Sequence, residues 1–273
     1  VAWIEFNERG KPELNISPLD VSGNLKEYLW EEKQAVLTSA TIQTNLIARL
    51  GVPIDDGNPL RIESPFNYKK QSLIYCPDLP DPSKDASHWQ ELVVEEIEKL
   101  ISLAGGRTLC LFTSRNELGR VTKEIRKRLD LPILMQGEKS PKELLREFAS
   151  DEKSCLFGTR TFFQGVDVPG PSLSLVILNR IPFPGPTEFL IKAWSQQSSL
   201  KTHGFGWREV ELPVAVLRVV QAAGRLIRKK NDSGVVAILD PRMTRSDYAH
   251  KFLNSFPDMP VTENIDDVEV FFT

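Results

Sequence analysis

From about residue 71 the chain alternates short apolar, β-branched runs with amphipathic stretches, and this alternation restricts the fold more than any other feature. The runs "QSLIYC", "RTLCLFT", "LPILMQ", "SCLFGT", "LSLVILN" and "GVVAILD" read as strands, and the stretches 89–104, 117–129, 142–150, 187–197, 213–229 and 246–255 as helices. Strands that are apolar throughout must be covered on both faces. The expected fold is therefore α/β, with a mainly parallel sheet and helices on both sides. Sheets of this kind take ligands in the loops beyond the carboxyl ends of their strands, so candidate residues are sought there.

Residues before about 60 read differently. An extended start leads to "NISPLD", a helix near 25–32, the apolar run "AVLTSAT" as a strand and a helix over 42–50. The Pro-, Gly- and Asp-rich stretch 51–70 has no periodicity and reads as a linker. The expected division is thus 1–60 and 61–273. The chain lacks an initiating Met and starts in what reads as a strand, so it is expected to be a piece of a longer protein.

With 41% hydrophobic and 26% charged residues in 273, the composition is that of a soluble globular chain. A net charge of −3 gives no global attraction to a polyanion, so any nucleic-acid reading rests on local charge. Two blocks are locally basic: 115–146 has nine Lys/Arg against five Asp/Glu, and 201–230 seven against two. Three separated cysteines form no disulfide or metal pattern, and those in "RTLCLF" and "KSCLFG" read as buried hydrophobes. No apolar run approaches the roughly 18 residues that span a bilayer, and the start is not a signal peptide. A cytoplasmic location without membrane partners is expected.

The stretch "VVQAAGRLIRKK" carries chemistry. Continued as a helix, it places Arg218, Gln221, Arg225 and Arg228 on one arc and Val219, Ala223, Leu226 and Ile227 opposite. Guanidiniums gathered on one face repel unless an anion meets them, and Gly224 costs about 1 kcal/mol in a helix interior. Both features fit a site in which arginines bind or stabilise phosphoryl oxygens. In the loop after the strand "SCLFG", Gly165 permits close backbone approach and Asp167 offers an acceptor. Thr113 and Ser114 open a helix with hydroxyls and free N–H groups suited to an anion, with Arg115 beside them. His88, His203 and His250 have no evident partners.

"QAAGRLIR" resembles motif VI of superfamily 2 helicases, Q-x-x-G-R-x-x-R, in the form found in the DinG/XPD-like branch. "FGTRTFFQGVDVPG" is similar to that branch's motif V, "TLCLFTSRNEL" to motif IV and "AVLTSATI" to motif III, in the family's order. Phe163 and Gln164 depart from the family's Trp and Glu. The resemblance implies a RecA-like fold, with 1–60 ending a first motor domain and 61–273 forming the second. It implies arginine fingers at Arg225 and Arg228 with Gln221, an ATP cleft at Gly165, Asp167 and Gly224, and coupling through Ser39 and Thr41. Single-stranded DNA would contact Thr113, Ser114, Arg115, Thr159 and Arg160, with 5′ to 3′ translocation.

The sequence contains neither G-x-x-x-x-G-K-[ST] nor a D-E-A-H-like carboxylate pair. ATP and Mg are therefore expected to be held mainly by an upstream half of the same polypeptide, and this chain is expected to be inactive alone. Any iron–sulfur cluster would lie outside it. Two other readings stand beside this one: a non-catalytic nucleic-acid-binding module with a helicase-like fold, and an unrelated α/β enzyme using "GVDVPG" as a small-molecule loop.

Overall fold

The computed structural model describes all residues except 8, 32, 34–35, 39–46, 48, 53–59, 61, 160–161 and 163–172. The chain divides into two compact units: Val1–Glu63 with Phe183–Val214, and Ser64–Pro182 with Ala215–Thr273. The expected division at residue 60 kept 183–214 with the second part, whereas in the structure that segment groups with the first.

The second unit contains a parallel sheet of seven strands: β3 (Ser72–Tyr75), β4 (Thr108–Leu111), β5 (Ile133–Met135), β6 (Cys155–Gly158), β7 (Leu175–Leu178), β8 (Gly234–Ile238) and β9 (Val261–Thr262). Their order across the sheet is β5-β6-β4-β7-β8-β3-β9. All six expected strands are present, and β9 was not expected. Every residue of β3, β4, β6, β7 and β8 is buried, which is why these strands read as continuous apolar runs.

One face carries Tyr75, Cys110, Phe112, Phe157, Ile177 and Ala237 and packs on the helices Ala86–Ala104, Arg115–Arg128 and Ile265–Phe272. Residues of the other parity, such as Leu111, Leu156, Leu178 and Ile238, are equally buried. The helix Pro141–Ser150 contributes Leu144 and Phe148 to the core. All three cysteines are buried, and burial pushes the Cys76 and Cys155 thiols up to about 12.

The first unit holds an antiparallel hairpin of β1 (Ala2–Phe6) and β2 (Pro12–Ile16), with Ile4 opposite Leu14. Asn7 closes its turn by accepting the N–H groups of Arg9 and Lys11, both at 3.0 Å. Trp3 stacks on Phe189 at 5.9 Å, and Trp194 donates to the Leu19 carbonyl at 2.5 Å, so the hairpin side joins the helix Phe189–Lys201. The expected helix near 25–32 is a turn of α-helix, Ser22–Leu25, continuing as a π-helical turn, Lys26–Trp30. The buried strand expected at "AVLTSAT" is not found in its described part: Val36 is 89% exposed and residues 36–38 are in no strand.

Candidate nucleotide and nucleic-acid site

The helix that opens the arginine-bearing stretch is Glu211–Ala223, and it ends before Gly224 rather than running to 229. After Gly224 the chain tightens into a turn in which Arg225 N–H donates to Ala222 at 3.2 Å and Leu226 N–H to Ala223 at 3.0 Å. Leu226 and Ile227 are buried and pull the chain down onto the core. The Asp232 carboxylate then accepts the N–H groups of Arg228, at 2.9 Å, and Lys229, at 2.8 Å. Gln71 donates to the Lys230 and Asp232 carbonyls, tying this loop to the start of β3.

The helical arc expected for the four polar side chains is therefore corrected. Arg225 and Arg228 lie on a turn and a capped loop, and Arg218 is buried at 8% exposure, donating to the Pro182 carbonyl at 3.1 Å. Gly224 ends the helix instead of interrupting it. A Cβ there would lie 3.3 Å from the Val220 carbonyl oxygen. Arg225 and Arg228 are half-buried, and burial lowers the pKa of both guanidiniums, with Asp232 opposing the shift at Arg228. Half-buried guanidiniums are the kind that bind an oxyanion strongly, because less water competes for their N–H groups.

Arg228 and Asp232 precede β8, so this loop stands at the amino edge of the sheet, where Val235 N–H meets the Ser174 carbonyl at 2.9 Å. The residues expected to hold a nucleic-acid strand stand at the opposite, carboxyl edge. Thr113, Ser114 and Arg115 follow β4, and Thr159 follows β6, its parallel neighbour, with Leu111 opposite Gly158. The structure thus brings the strand candidates together on adjacent strands and keeps the arginine loop apart from them. Arg160, Gly165, Asp167, Ser39 and Thr41 lie outside the described residues.

Thr113, Ser114 and Arg115 are all exposed. Ser114 caps the helix Arg115–Arg128 by accepting the Glu117 N–H, which leaves the first-turn N–H groups of Arg115 and Asn116 directed at whatever lies beyond the helix end. Thr159 is less available than expected: its N–H and hydroxyl both donate to Gln136 Oε1, at 2.6 and 2.9 Å.

The basic block 115–146 is less basic in space than in sequence. Arg120 pairs with Glu117, Arg126 with Glu138, Lys127 with Glu124, Arg128 with Glu98 and Lys139 with Glu147. Arg115 takes no part in these pairs. Its charge faces the solvent beside the helix N-terminus.

Three features near this edge escaped the sequence. Asp240, 3% exposed after β8, accepts the Ile181 N–H at 2.9 Å and both a backbone and guanidinium bonds from Arg242. Arg180 lays its guanidinium over the Trp89 ring, 4.2 Å from the centroid. Asn179 ends the apolar run of β7 with a fully buried carboxamide, and only its place at a carboxyl edge would have singled it out. Among the described residues no group of three or more His, Cys, Asp or Glu is arranged to hold a metal ion. No helix among them is long and apolar enough to cross a membrane. His88, His203 and His250 are exposed.

The helicase C-terminal domain family matches residues 97–259, more than half of the chain. The ATP-dependent helicase DinG of Mycobacterium tuberculosis is 38% identical over 274 aligned residues, covering 97% of this chain and 41% of that protein. The ATP-dependent DNA helicase YoaA of Escherichia coli is 35% identical, covering 96% and 42%. The chain therefore spans less than half the length of these relatives. A solved apo structure of XPD superposes with a TM-score of 0.54 at 23% identity, over 71% of this chain and 40% of that one, a likeness of fold.

Proposed function

Because the chain belongs to the family of helicase C-terminal domains, we propose that it is the second RecA-like motor domain of an ATP-dependent DNA helicase. The observation that carries this reading is the pair of half-buried guanidiniums, Arg225 and Arg228, displayed by a helix end and a carboxylate-capped loop. Two guanidiniums held this way suit phosphate oxygens, and a module that only bound nucleic acid would have no use for them away from its strand-binding edge.

ATP fits this chain in part. Arg225 and Arg228 would supply donors for terminal phosphate oxygens, with Gln221 on the last turn of the helix that precedes them and Gly224 ending that helix. The sequence has no loop to cradle the remaining phosphates and no carboxylate pair for Mg. That machinery is assigned to an upstream half of the same polypeptide, where ATP hydrolysis would supply the free energy of translocation, 5′ to 3′. Asp167, Gly165, Ser39 and Thr41 would communicate the nucleotide state, and the protein would act in the cytoplasm. At the carboxyl edge Thr113, Ser114 and Arg115, with Thr159 and Arg160, would hold single-stranded DNA by its phosphates without reading sequence.

The first unit gives the upstream half a surface to meet. Ile4, Phe6, Leu14 and Ile16 share one hairpin face and are 58%, 72%, 68% and 75% exposed. Exposed apolar faces of this kind mark interaction sites.

The test is DNA-stimulated ATPase activity of this chain alone and after addition of the separately purified upstream half. No turnover from the chain alone is expected, with turnover on mixing that is lost in Arg225→Ala or Arg228→Ala while nucleotide binding persists. Turnover by the chain alone, or undiminished turnover in both variants, would overturn the assignment.

A further inference from the structure

The carboxamide of Asn179 is 0% exposed, and neither its oxygen nor its nitrogen has a hydrogen-bond partner. Buried polar side chains are nearly always bonded, and one left unbonded costs about 1–3 kcal/mol. The backbone around Asn179 is held on several sides. Asn179 N–H is bonded to the Leu111 carbonyl at 3.1 Å. Arg180 is stacked over Trp89, Ile181 N–H is held by Asp240, and the Pro182 carbonyl is held by Arg218. Four consecutive residues are thus fixed by four different elements, so a partner for the amide has to come to it.

The register shows where that partner would come from. Leu178 lies opposite Leu111, so Asn179 is the strand neighbour of Phe112, and the next residues of that chain are Thr113, Ser114 and Arg115. A carboxamide presents a donor and an acceptor together, which matches a peptide group, whereas a phosphate offers acceptors only.

We propose that Asn179 is a positioning residue for the nucleic-acid strand. Its carboxamide bonds a peptide group of the Thr113–Arg115 turn only when that turn has closed on a bound strand, so part of the free energy of strand binding comes from satisfying it. This inference rests on the strand-binding reading above. It also accounts for an asparagine at the end of an apolar strand, where leucine of nearly the same shape would suit the resting protein better.

The probe is a fluorescein-labelled oligo-dT, with binding read by anisotropy and stability by thermal melting of wild type and Asn179→Leu. The expected result is a split. The variant melts at the same or a higher temperature without oligonucleotide, yet binds it about tenfold more weakly. A residue with an ordinary structural role would lose stability and affinity together, so a lower melting temperature, or failure to fold, overturns the proposal, as does unchanged affinity.

A second measurement needs no variant: the side-chain NH2 resonance of Asn179 in the wild type shifts on oligonucleotide addition, and an unshifted resonance with saturating oligonucleotide also overturns it. If the wild type binds no oligonucleotide, the strand-binding reading itself falls and this inference falls with it.

Discussion

At Arg115 a single side chain separates local charge from net charge. The chain is acidic overall and much of the 115–146 block is cancelled by neighbouring carboxylates, yet Arg115 stands outside those pairs at a helix N-terminus. A cation in that position would meet phosphates rather than base edges and so carry no base specificity. Arg115→Gln is expected to weaken binding of all single-stranded oligonucleotides to a similar degree and to make log K against log salt shallower by about one unit. Titrations of oligo-dT and a mixed-sequence oligonucleotide over a range of salt check this, and a loss confined to one sequence would contradict it. Thr159, by contrast, gives its donors to Gln136 in the resting chain, so the strand-holding role proposed for it would require those two bonds to be exchanged. Neither the cancellation of charge nor the Gln136 contact was legible in the sequence, because both depend on residues that only the fold brings together.

The helix Glu211–Ala223 shows how periodicity can overrun an element. The apolar positions Val219, Ala223, Leu226 and Ile227 keep a helical spacing past Gly224, so the sequence reads as one long helix. In the structure Leu226 and Ile227 still reach the core, but by a tight turn, and Asp232 takes the backbone N–H groups that a continuing helix would have bonded internally. A local acceptor nine residues beyond Ala223, the last helical residue, outcompetes the pattern. The strands, buried on both faces, were legible almost residue for residue. The hairpin was not, because its exposed face is the apolar one. Asp232→Ala is expected to cost about 1–3 kcal/mol in urea unfolding of this chain, and, on the function proposed above, to reduce the ATP turnover seen on mixing with the upstream half by displacing Arg228. Asp232→Asn, which keeps an acceptor oxygen, should recover part of both.

On the scale of the molecule the two units differ in what they leave uncovered. The second exposes few large apolar side chains, Val261 and Val270 among them, whereas the first exposes most of a hairpin face together with Tyr28, Leu200 and Phe205. On the function proposed above, the upstream half would cover this face. Phe6→Ser combined with Ile16→Thr is therefore expected to leave the chain's melting temperature little changed, since both side chains already face solvent. The same pair should raise the concentration of upstream half needed for half-maximal turnover. Unchanged titration curves would place the contact elsewhere. The family and the sheet were legible from four short motifs and a run of apolar strands. The grouping of 183–214 with the first unit was not, since nothing in its composition distinguishes it from the helices on either side.

The strand order has a consequence for how the chain is made. β3 is the first strand of the parallel sheet to be synthesised, and its neighbours are β8 and β9, the last two. While a ribosome extends the chain from Tyr75 to Gly234, a strand that is wholly buried in the folded chain waits without the partners it will finally have. Chains emerge at about 5–20 residues per second, so that interval lasts on the order of ten seconds or more. Nascent chains of this domain should consequently depend on chaperone holding until Thr262 has left the exit tunnel, and a truncation that removes the last strand should yield aggregation rather than a smaller folded domain.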